Sequence, residues 1–126
     1  DYKSVRDRRI ENYLTLDEGI KKNNVITGNG NKEVNLSNKI ELTTDCMPLY
    51  YPMLFESGQV RDYIASKLMS ECIYPVVFWP KFYGKIGTTF INASNGECGK
   101  LKVLCLPIDQ RYDKNDMEHI LKIIDS

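Results

Sequence analysis

The stretch KLKVLCLPIDQRYDKNDMEHILKIID, residues 100–125, carries a strand, a turn and a helix in one continuous run. Residues 100–106 place apolar side chains at every second position over most of their length, which predicts a β-strand. The carboxylate of Asp113 can accept a hydrogen bond from the first turn of a helix, and Asp116 suits the positive end of the helix dipole. The stretch therefore predicts a closing helix over 113–125. Its apolar face consists of Met117, Ile120, Leu121 and Ile124.

Four further elements precede this segment. Residues 2 to 22 carry apolar side chains at steps of three and four with charged residues between them, which predicts a helix. Residues 39–55 alternate apolar and polar side chains and predict one or two strands, bent or at a sheet edge because of their prolines. Ser57 fits the N-cap of a second helix over 58–70. Residues 73–80 form an apolar run of strand length.

A Gly- and Asn-rich segment, residues 27–38, separates the first helix from the predicted strands. It begins Thr27-Gly28-Asn29-Gly30-Asn31 and resembles a phosphate-binding loop only superficially. No Gly-Lys-Ser/Thr follows, and no strand-then-helix context surrounds it. We therefore expect a surface loop.

In chain order these elements predict a single α+β domain. Short strands between helices, without a series of parallel crossovers, predict a small mainly antiparallel sheet of three to four strands with helices packed on one face. Its expected parts are a linking helix (1–22), a loop (27–38), a sheet with a helix (39–112, with helix 58–70) and a C-terminal helix (113–125), all within one domain of residues 1–126.

The composition excludes several classes of function. The chain has 126 residues, 17 Lys and Arg against 17 Asp and Glu, and 42% apolar residues, which fits one compact domain. Zero net charge argues against a nucleic-acid partner, because such proteins normally carry a basic excess. No run approaches the ~20 apolar residues of a membrane helix, so no membrane partner is expected.

Metal and disulfide chemistry are not expected either. The four cysteines form no C-x-x-C pair, and His119 is the only histidine that could complete a ligand set. We interpret His119 as a surface residue beside the apolar face of the last helix. The chain starts at Asp1 without a Met or a secretory signal, so we expect reduced cysteines, a cytoplasmic location and a piece of a longer chain.

Two local features could carry function. Phe78 and Trp79 end an apolar run just before Pro80, and Trp79 is the only tryptophan. They are interpreted either as a core or interface anchor or as part of a pocket.

The second feature is a polar set between the last strand and the last helix. It consists of Asp109, Gln110, Arg111 and Tyr112. It can be a capping and turn network that satisfies loose backbone groups, or a functional site, and the sequence leaves both alternatives open. No nucleophile has an obvious base beside it, so the residues themselves indicate no catalytic group.

Several segments resemble a known family. The segment from Leu104 to Met117, with the helix that follows, resembles the C-terminal end of the DegT-type sugar aminotransferases. Residues 8–13, Arg-Arg-Ile-Glu-Asn-Tyr, resemble the helix by which the chain of that family enters its small C-terminal domain. Residues 59–64 and 73–80 resemble the helix–strand unit between them. The matches follow the order of the family.

The chain also departs from the family pattern at two places. Many members carry Gly just before the strand that here begins at Ile73, whereas this chain has Glu71-Cys72. Many members also have His or Tyr near the position of Phe78 and Trp79. A direct polar contact to substrate from that position is therefore not expected.

The resemblance implies a fold-type I architecture and a parent enzyme that uses pyridoxal phosphate. Such a parent would move an amino group from glutamate to a keto-sugar, expected to be nucleotide-linked, and would form a homodimer. The N-terminal large domain with the cofactor-binding lysine would be absent here, so this chain alone would be inactive and would hold no catalytic, cofactor-binding or metal-binding residue. The alternative is a stand-alone, non-catalytic α+β binding or interaction module.

If the chain is such a domain, its substrate-pocket candidates are Phe78, Trp79, Asp109, Gln110, Arg111 and Tyr112. The face that packs on the absent large domain should then expose apolar side chains. We expect this exposed patch to involve Tyr2, Val5, Phe78 and Trp79.

Overall fold

The computed structural model describes residues 1–22, 26–28, 32–34, 42–43, 45–55, 57–77 and 103–126, with the backbone alone for 26–28 and 32–34. The elements are α1 (Tyr2–Lys22), β1 (Ile26–Gly28), β2 (Lys32–Val34), β3 (Tyr50–Leu54), α2 (Gly58–Ser70), β4 (Val103–Pro107) and α3 (Lys114–Asp125). In the part of the chain that is described, no helix is both long and apolar enough to cross a lipid bilayer.

The helices lie where the sequence predicts them, because their ends are set by local caps. The Ser57 hydroxyl accepts a hydrogen bond from the N–H of Val60 at 3.2 Å and begins α2. At α3, Asp113 Oδ1 accepts from the N–H groups of Asn115 and Asp116. Asp116 in turn accepts from the N–H of Asp113 at 2.8 Å, which completes a capping box.

The end of α2 departs from the usual residue preference. The N–H of Ile73 donates to the Leu68 carbonyl at 2.9 Å, and the N–H of Cys72 donates to the Met69 carbonyl at 3.0 Å. This pair of bonds is the Schellman motif, which needs a left-handed residue and usually has Gly there. Cys72 takes that position with φ 60°.

The fold is α+β, as predicted, with a narrower sheet. β3 pairs antiparallel with β4, from Tyr50 opposite Pro107 to Leu54 opposite Val103. The other edge of β4 meets one residue, Val76, which exchanges two 2.9 Å backbone hydrogen bonds with Cys105. In the described residues, this sheet therefore has two strands and a single-residue bridge instead of three to four strands.

The proline in β3 fits this pairing. Pro52 lies opposite Cys105, but both backbone groups of Cys105 bond to Val76 on the other side. The ladder between β3 and β4 therefore needs no N–H donor at Pro52, and a proline is tolerated within the strand. Over the residues that are described, the predicted strand 73–80 is reduced to the bridge at Val76.

Two other strand predictions need correction. The extended stretch 39–55 yields β3 at its end, and residues 39–41 lie outside the described part. The strand 100–106 is observed as β4, Val103–Pro107, with residues 100–102 outside the described part. Residues 104 to 107 are buried one after another instead of alternately, so both faces of the strand are covered at this point.

The predicted loop 27–38 is the clearest difference. β1 and β2 pair antiparallel within this region, with Ile26 opposite Val34 and Gly28 opposite Lys32. The glycines and asparagines are concentrated at positions 28–31 of the sequence. The β-branched residues Ile26, Thr27 and Val34 lie in the two strands, which such residues favour. The described part of this region therefore contains a pair of strands where a loop was expected.

The core lies between the helices and the β3–β4 pair. α1 lies against β3 and α3, and α2 lies against β4 and α3. A Cβ at Gly19 would overlap the side chain of Leu121, so the absence of a side chain lets α1 and α3 pack closely. The most deeply buried apolar side chains are Leu16, Leu68, Leu104, Leu106, Ile108 and Met117.

Candidate functional site

The turn between β4 and α3 is fixed from inside by one buried amide. Asn12 on α1 is fully buried, and its Nδ2 donates to the carbonyl oxygens of Ile108 at 3.2 Å, Asp109 at 3.2 Å and Tyr112 at 3.1 Å. Ile108 is itself fully buried in the core. Because backbone carbonyls of a buried turn need donors, this amide determines where the turn lies against α1.

The orientation of the amide follows from its neighbours. Three carbonyl oxygens surround one end of the Asn12 side chain, so that end must be the NH₂ group. The other end, Oδ1, is buried and has no hydrogen-bond partner among the described residues. Asn12 therefore provides a donor for three carbonyl oxygens of the turn, while its own Oδ1 is left without a hydrogen bond among the described residues.

The outer side of the same turn is closed by an ion pair. Arg111 donates from Nε to Asp109 Oδ1 and from Nη2 to Oδ2, both at 2.8 Å, and its backbone N–H donates to Oδ1 at 3.0 Å. The Arg111 side-chain hydrogen bonds are the main cause that lowers the pKa of Asp109, with the Arg111 and Arg9 charges adding to it. The pair also raises the pKa of Arg111. Asp109 is therefore an anion at neutral pH and not a proton donor.

A cleft of about 280 Å³ lies beside this ion pair. On its α1 side, Arg9 donates from Nε to Gln110 Oε1 at 3.0 Å, which joins the helix to the turn. The cleft is lined by Arg9, Leu49, Tyr50, Asp109, Gln110 and Arg111. Two guanidinium groups against one carboxylate give this lining a net charge of +1.

The structure brings only part of the predicted site together. Asp109, Gln110 and Arg111 line the cleft, whereas Tyr112 packs against the core with the Arg111 guanidinium 5.9 Å from its ring centroid. The turn-network interpretation of this polar set is therefore present in the structure. Asp109, Gln110 and Arg111 also line the cleft.

Phe78 and Trp79 lie outside the described residues. The bridged residue Val76 lies opposite Cys105 of β4, and the Asp109–Tyr112 turn follows β4 at its Pro107 end. Of the predicted apolar patch, Tyr2 is 67% exposed and Val5 is half-buried.

Sequence reasoning missed the two α1 residues of the site. Arg9 reaches Gln110 across 101 positions, and Asn12 reaches the turn across 96 to 100 positions. The available signal was a polar residue on a buried helix face, because Asn12 lies beside Tyr13 and on the same face as Leu16. Such a residue needs a partner, but nothing in the sequence identifies it.

Neither a metal nor pyridoxal phosphate finds a fit in the described residues. They contain no group of three or more side chains that could ligate a metal ion. The lysines whose side chains are described lie on helices, and all but the half-buried Lys67 are exposed. Lys21 forms an ion pair with Asp17, and Lys67 lies 5.7 Å from the centroid of the Tyr63 ring. None of them lines the cleft, so no cofactor chemistry is derived from these residues.

Of the comparisons with known proteins, only the one with solved structures gives a match, and it concerns the fold. No family model and no curated protein matches this sequence. Among solved structures, the crystal structure of the aminotransferase TlmJ from Streptoalloteichus hindustanus matches with a TM-score of 0.60 and 20% sequence identity. The chain has an aminotransferase-like fold. The alignment covers 96% of this chain but only 31% of TlmJ, so the chain spans less than a third of that enzyme's length.

Proposed function

We propose that this chain is the C-terminal small domain of a pyridoxal-phosphate-dependent sugar aminotransferase of the DegT type. The parent enzyme would transfer an amino group from glutamate to a keto-sugar carried on a nucleotide. The observation behind this proposal is the coverage of the structural match, since nearly the whole chain aligns with less than a third of an aminotransferase. A domain of this size fits one unit of a multidomain chain.

The order of the family-like segments supports the DegT assignment. Residues 8–13 lie on α1, residues 59–64 lie on α2, and the segment from Leu104 to Met117 runs from β4 into α3. Asn12 and Arg9, in the first of these segments, bond directly to the turn in the last one. The first and last family-like segments therefore form one packed unit.

The departure at Cys72 is consistent with the same assignment. Many DegT-type enzymes carry Gly just before the strand that corresponds to Ile73 here. Cys72 takes φ 60° at this position, a conformation that Gly adopts without steric strain. The residue type differs from the family pattern, but the backbone has the conformation that Gly would favour.

Within the proposed enzyme, this chain would support the active site without supplying the cofactor lysine. The large domain would hold pyridoxal phosphate, and α1 would link it to the small domain. The parent would work as a cytoplasmic homodimer on a small-molecule sugar substrate. Phe78, Trp79 and the Asp109–Tyr112 turn remain the proposed contributions of this chain to the sugar pocket.

The coding sequence upstream of Asp1 in the source gene provides the first test. We expect a few hundred codons of α/β sequence with a lysine that pyridoxal phosphate modifies in the full-length protein. That protein should transfer ¹⁵N from labelled glutamate to a nucleotide-linked keto-sugar, measured by mass spectrometry. A start codon directly before Asp1 would overturn the proposal and favour the stand-alone binding module.

The chain alone provides the second test. After incubation with pyridoxal phosphate and borohydride, peptide mapping should find only scattered, substoichiometric labelling of its lysines. Stoichiometric labelling of one lysine would contradict the proposal that the cofactor lysine lies elsewhere in the parent. Free lysine serves as the control for the reactivity of an ordinary amine.

A further inference from the structure

The cleft beside the Asp109–Arg111 pair has a chemistry that amino transfer does not explain. Its anchor is Arg9, a residue of intermediate burial whose guanidinium donates a hydrogen bond to a neutral acceptor, Gln110 Oε1. Arg8 and Arg111, by comparison, each donate to a carboxylate at 3.0 Å or less. Among the described residues no carboxylate is hydrogen-bonded to the Arg9 guanidinium, so an anion at its free end would be favourable.

The hydrogen bonds within the cleft leave the Nη groups of Arg9 available to a ligand. Arg9 uses Nε for Gln110, and Arg111 uses Nε and Nη2 for Asp109. Neither Nη group of Arg9 has a hydrogen-bond partner in the described part of the chain. The end of the Arg9 fork can therefore bind an oxyanion through two parallel N–H bonds.

The charge of the cleft limits the ligand to one negative charge. Asp109 neutralises Arg111, so Arg9 accounts for the net charge of +1 in the lining. A carboxylate matches this charge, whereas a phosphate dianion would exceed it and would lie near the Asp109 carboxylate. Coulomb repulsion from Asp109 disfavours that second charge.

The remaining walls are apolar. The side chain of Leu49 is 61% exposed and that of Tyr50 is 36% exposed, although both lie directly beside the arginines. Exposed apolar surface next to a fixed cation suits a ligand with an apolar body and a charged head. The volume of about 280 Å³ accommodates a small molecule.

We propose that this cleft binds a small organic monocarboxylate with an aromatic or branched aliphatic body. The carboxylate accepts hydrogen bonds from Arg9, and the body lies on Leu49 and Tyr50. This site goes beyond the proposed amino transfer, because Arg9, Leu49 and Tyr50, which would hold the ligand, are not among the residues proposed for the sugar pocket.

A titration of the ¹⁵N-labelled chain followed by NMR tests the ligand class. Benzoate should shift the signals of Arg9, of residues 49–50 and of residues 109–111 in one saturable process. Benzamide, the neutral analogue, should bind about tenfold more weakly, because it lacks the charge that strengthens the Arg9 hydrogen bonds. Tighter binding of inorganic phosphate than of benzoate, or equal binding of benzamide, would overturn the proposal.

Matched variants then locate the site. Arg9→Gln should weaken benzoate binding about tenfold, and Arg8→Gln, which removes a neighbouring exposed charge on the same helix, should leave it unchanged. Leu49→Ser should weaken benzoate more than acetate. Arg9→Lys keeps the charge without the planar fork and should bind at an intermediate level, which preserves the test if Arg9→Gln fails to fold. Equal losses in the Arg8 and Arg9 variants would refute the assignment.

Discussion

Two turns of this chain are stabilised by opposite means. The turn after α2, residues 71–73, is closed by backbone hydrogen bonds alone, with Cys72 in a left-handed conformation. The turn before α3, residues 108–113, is held by side chains from α1 and from the turn itself. The comparison teaches that side chains which hold a turn also become fixed in position, as Asp109 and Arg111 are in the second turn, whereas backbone hydrogen bonds fix no side chain. The cleft accordingly lies at the second turn.

The largest expected effect comes from removing the side chain that holds the second turn. Asn12→Ala leaves the carbonyls of Ile108, Asp109 and Tyr112 without their common donor and opens a small cavity. We expect a loss of about 3 kcal/mol in the free energy of unfolding, measured by urea denaturation. Glu11→Ala, at the exposed neighbouring position, is the control and should change stability little. An equal loss in both variants would contradict the role of the amide.

The capping box at the end of this turn predicts the next effect. Asp113→Ala removes the acceptor for the N–H groups of Asn115 and Asp116, so α3 should lose about 1 kcal/mol of stability. Asp113→Asn keeps an oxygen acceptor and should lose much less. Circular dichroism during thermal unfolding measures both variants. A loss that is the same for Ala and Asn would show that the charge, and not the cap, stabilises the helix.

The first turn predicts a gain instead of a loss. Cys72→Gly removes the steric conflict between Cβ and the backbone at φ 60°, so we expect about 1 kcal/mol of added stability. Cys72→Ala retains Cβ and is the matched control, expected to stay near the original stability. Urea denaturation under reducing conditions separates the two. If Ala stabilises as much as Gly, the thiol is the destabilising group and not the backbone conformation.

The helices could be predicted from sequence because their caps act over short distances. Ser57 and Val60 are three positions apart, and the Asp113 cap bonds within its own first turn. Each cap is therefore visible as a residue type at a fixed spacing. The left-handed residue at the end of α2 was not predicted, because Cys72 stands where the usual marker would be Gly.

Strand lengths and half of the site could not be predicted, because they depend on distant partners. Residues 104 to 107 of β4 are buried one after another, so segments distant in the sequence cover both faces of the strand, and an alternating pattern does not reveal that. In the same way, the sequence identified Asp109 and Arg111 as a polar set, but not the α1 residue Arg9 that completes the cleft. Tertiary packing decides both features.

The smallest expected effect concerns the charge on the outer side of the second turn. Because Arg111 lowers the pKa of Asp109 below its unfolded value of about 3.9, the pair stabilises the fold above about pH 4. This contribution is lost as the pH falls through the lower, folded pKa. Asp109→Asn keeps an oxygen for the Arg111 backbone N–H, so it removes the charge without removing the turn contact.

Unfolding of Asp109→Asn and of the original chain at pH 7 and about pH 2 measures this contribution. The variant should be slightly less stable at pH 7, by less than Asp113→Ala, and the two chains should converge in acid, where the carboxyl is protonated. A difference that persists in acid would assign the effect to packing. The same substitution raises the net charge of the cleft lining from +1 to +2, so benzoate should bind more tightly at pH 7. Opposite signs for stability and binding would establish that the Asp109 charge stabilises the turn and limits the anion affinity of the cleft.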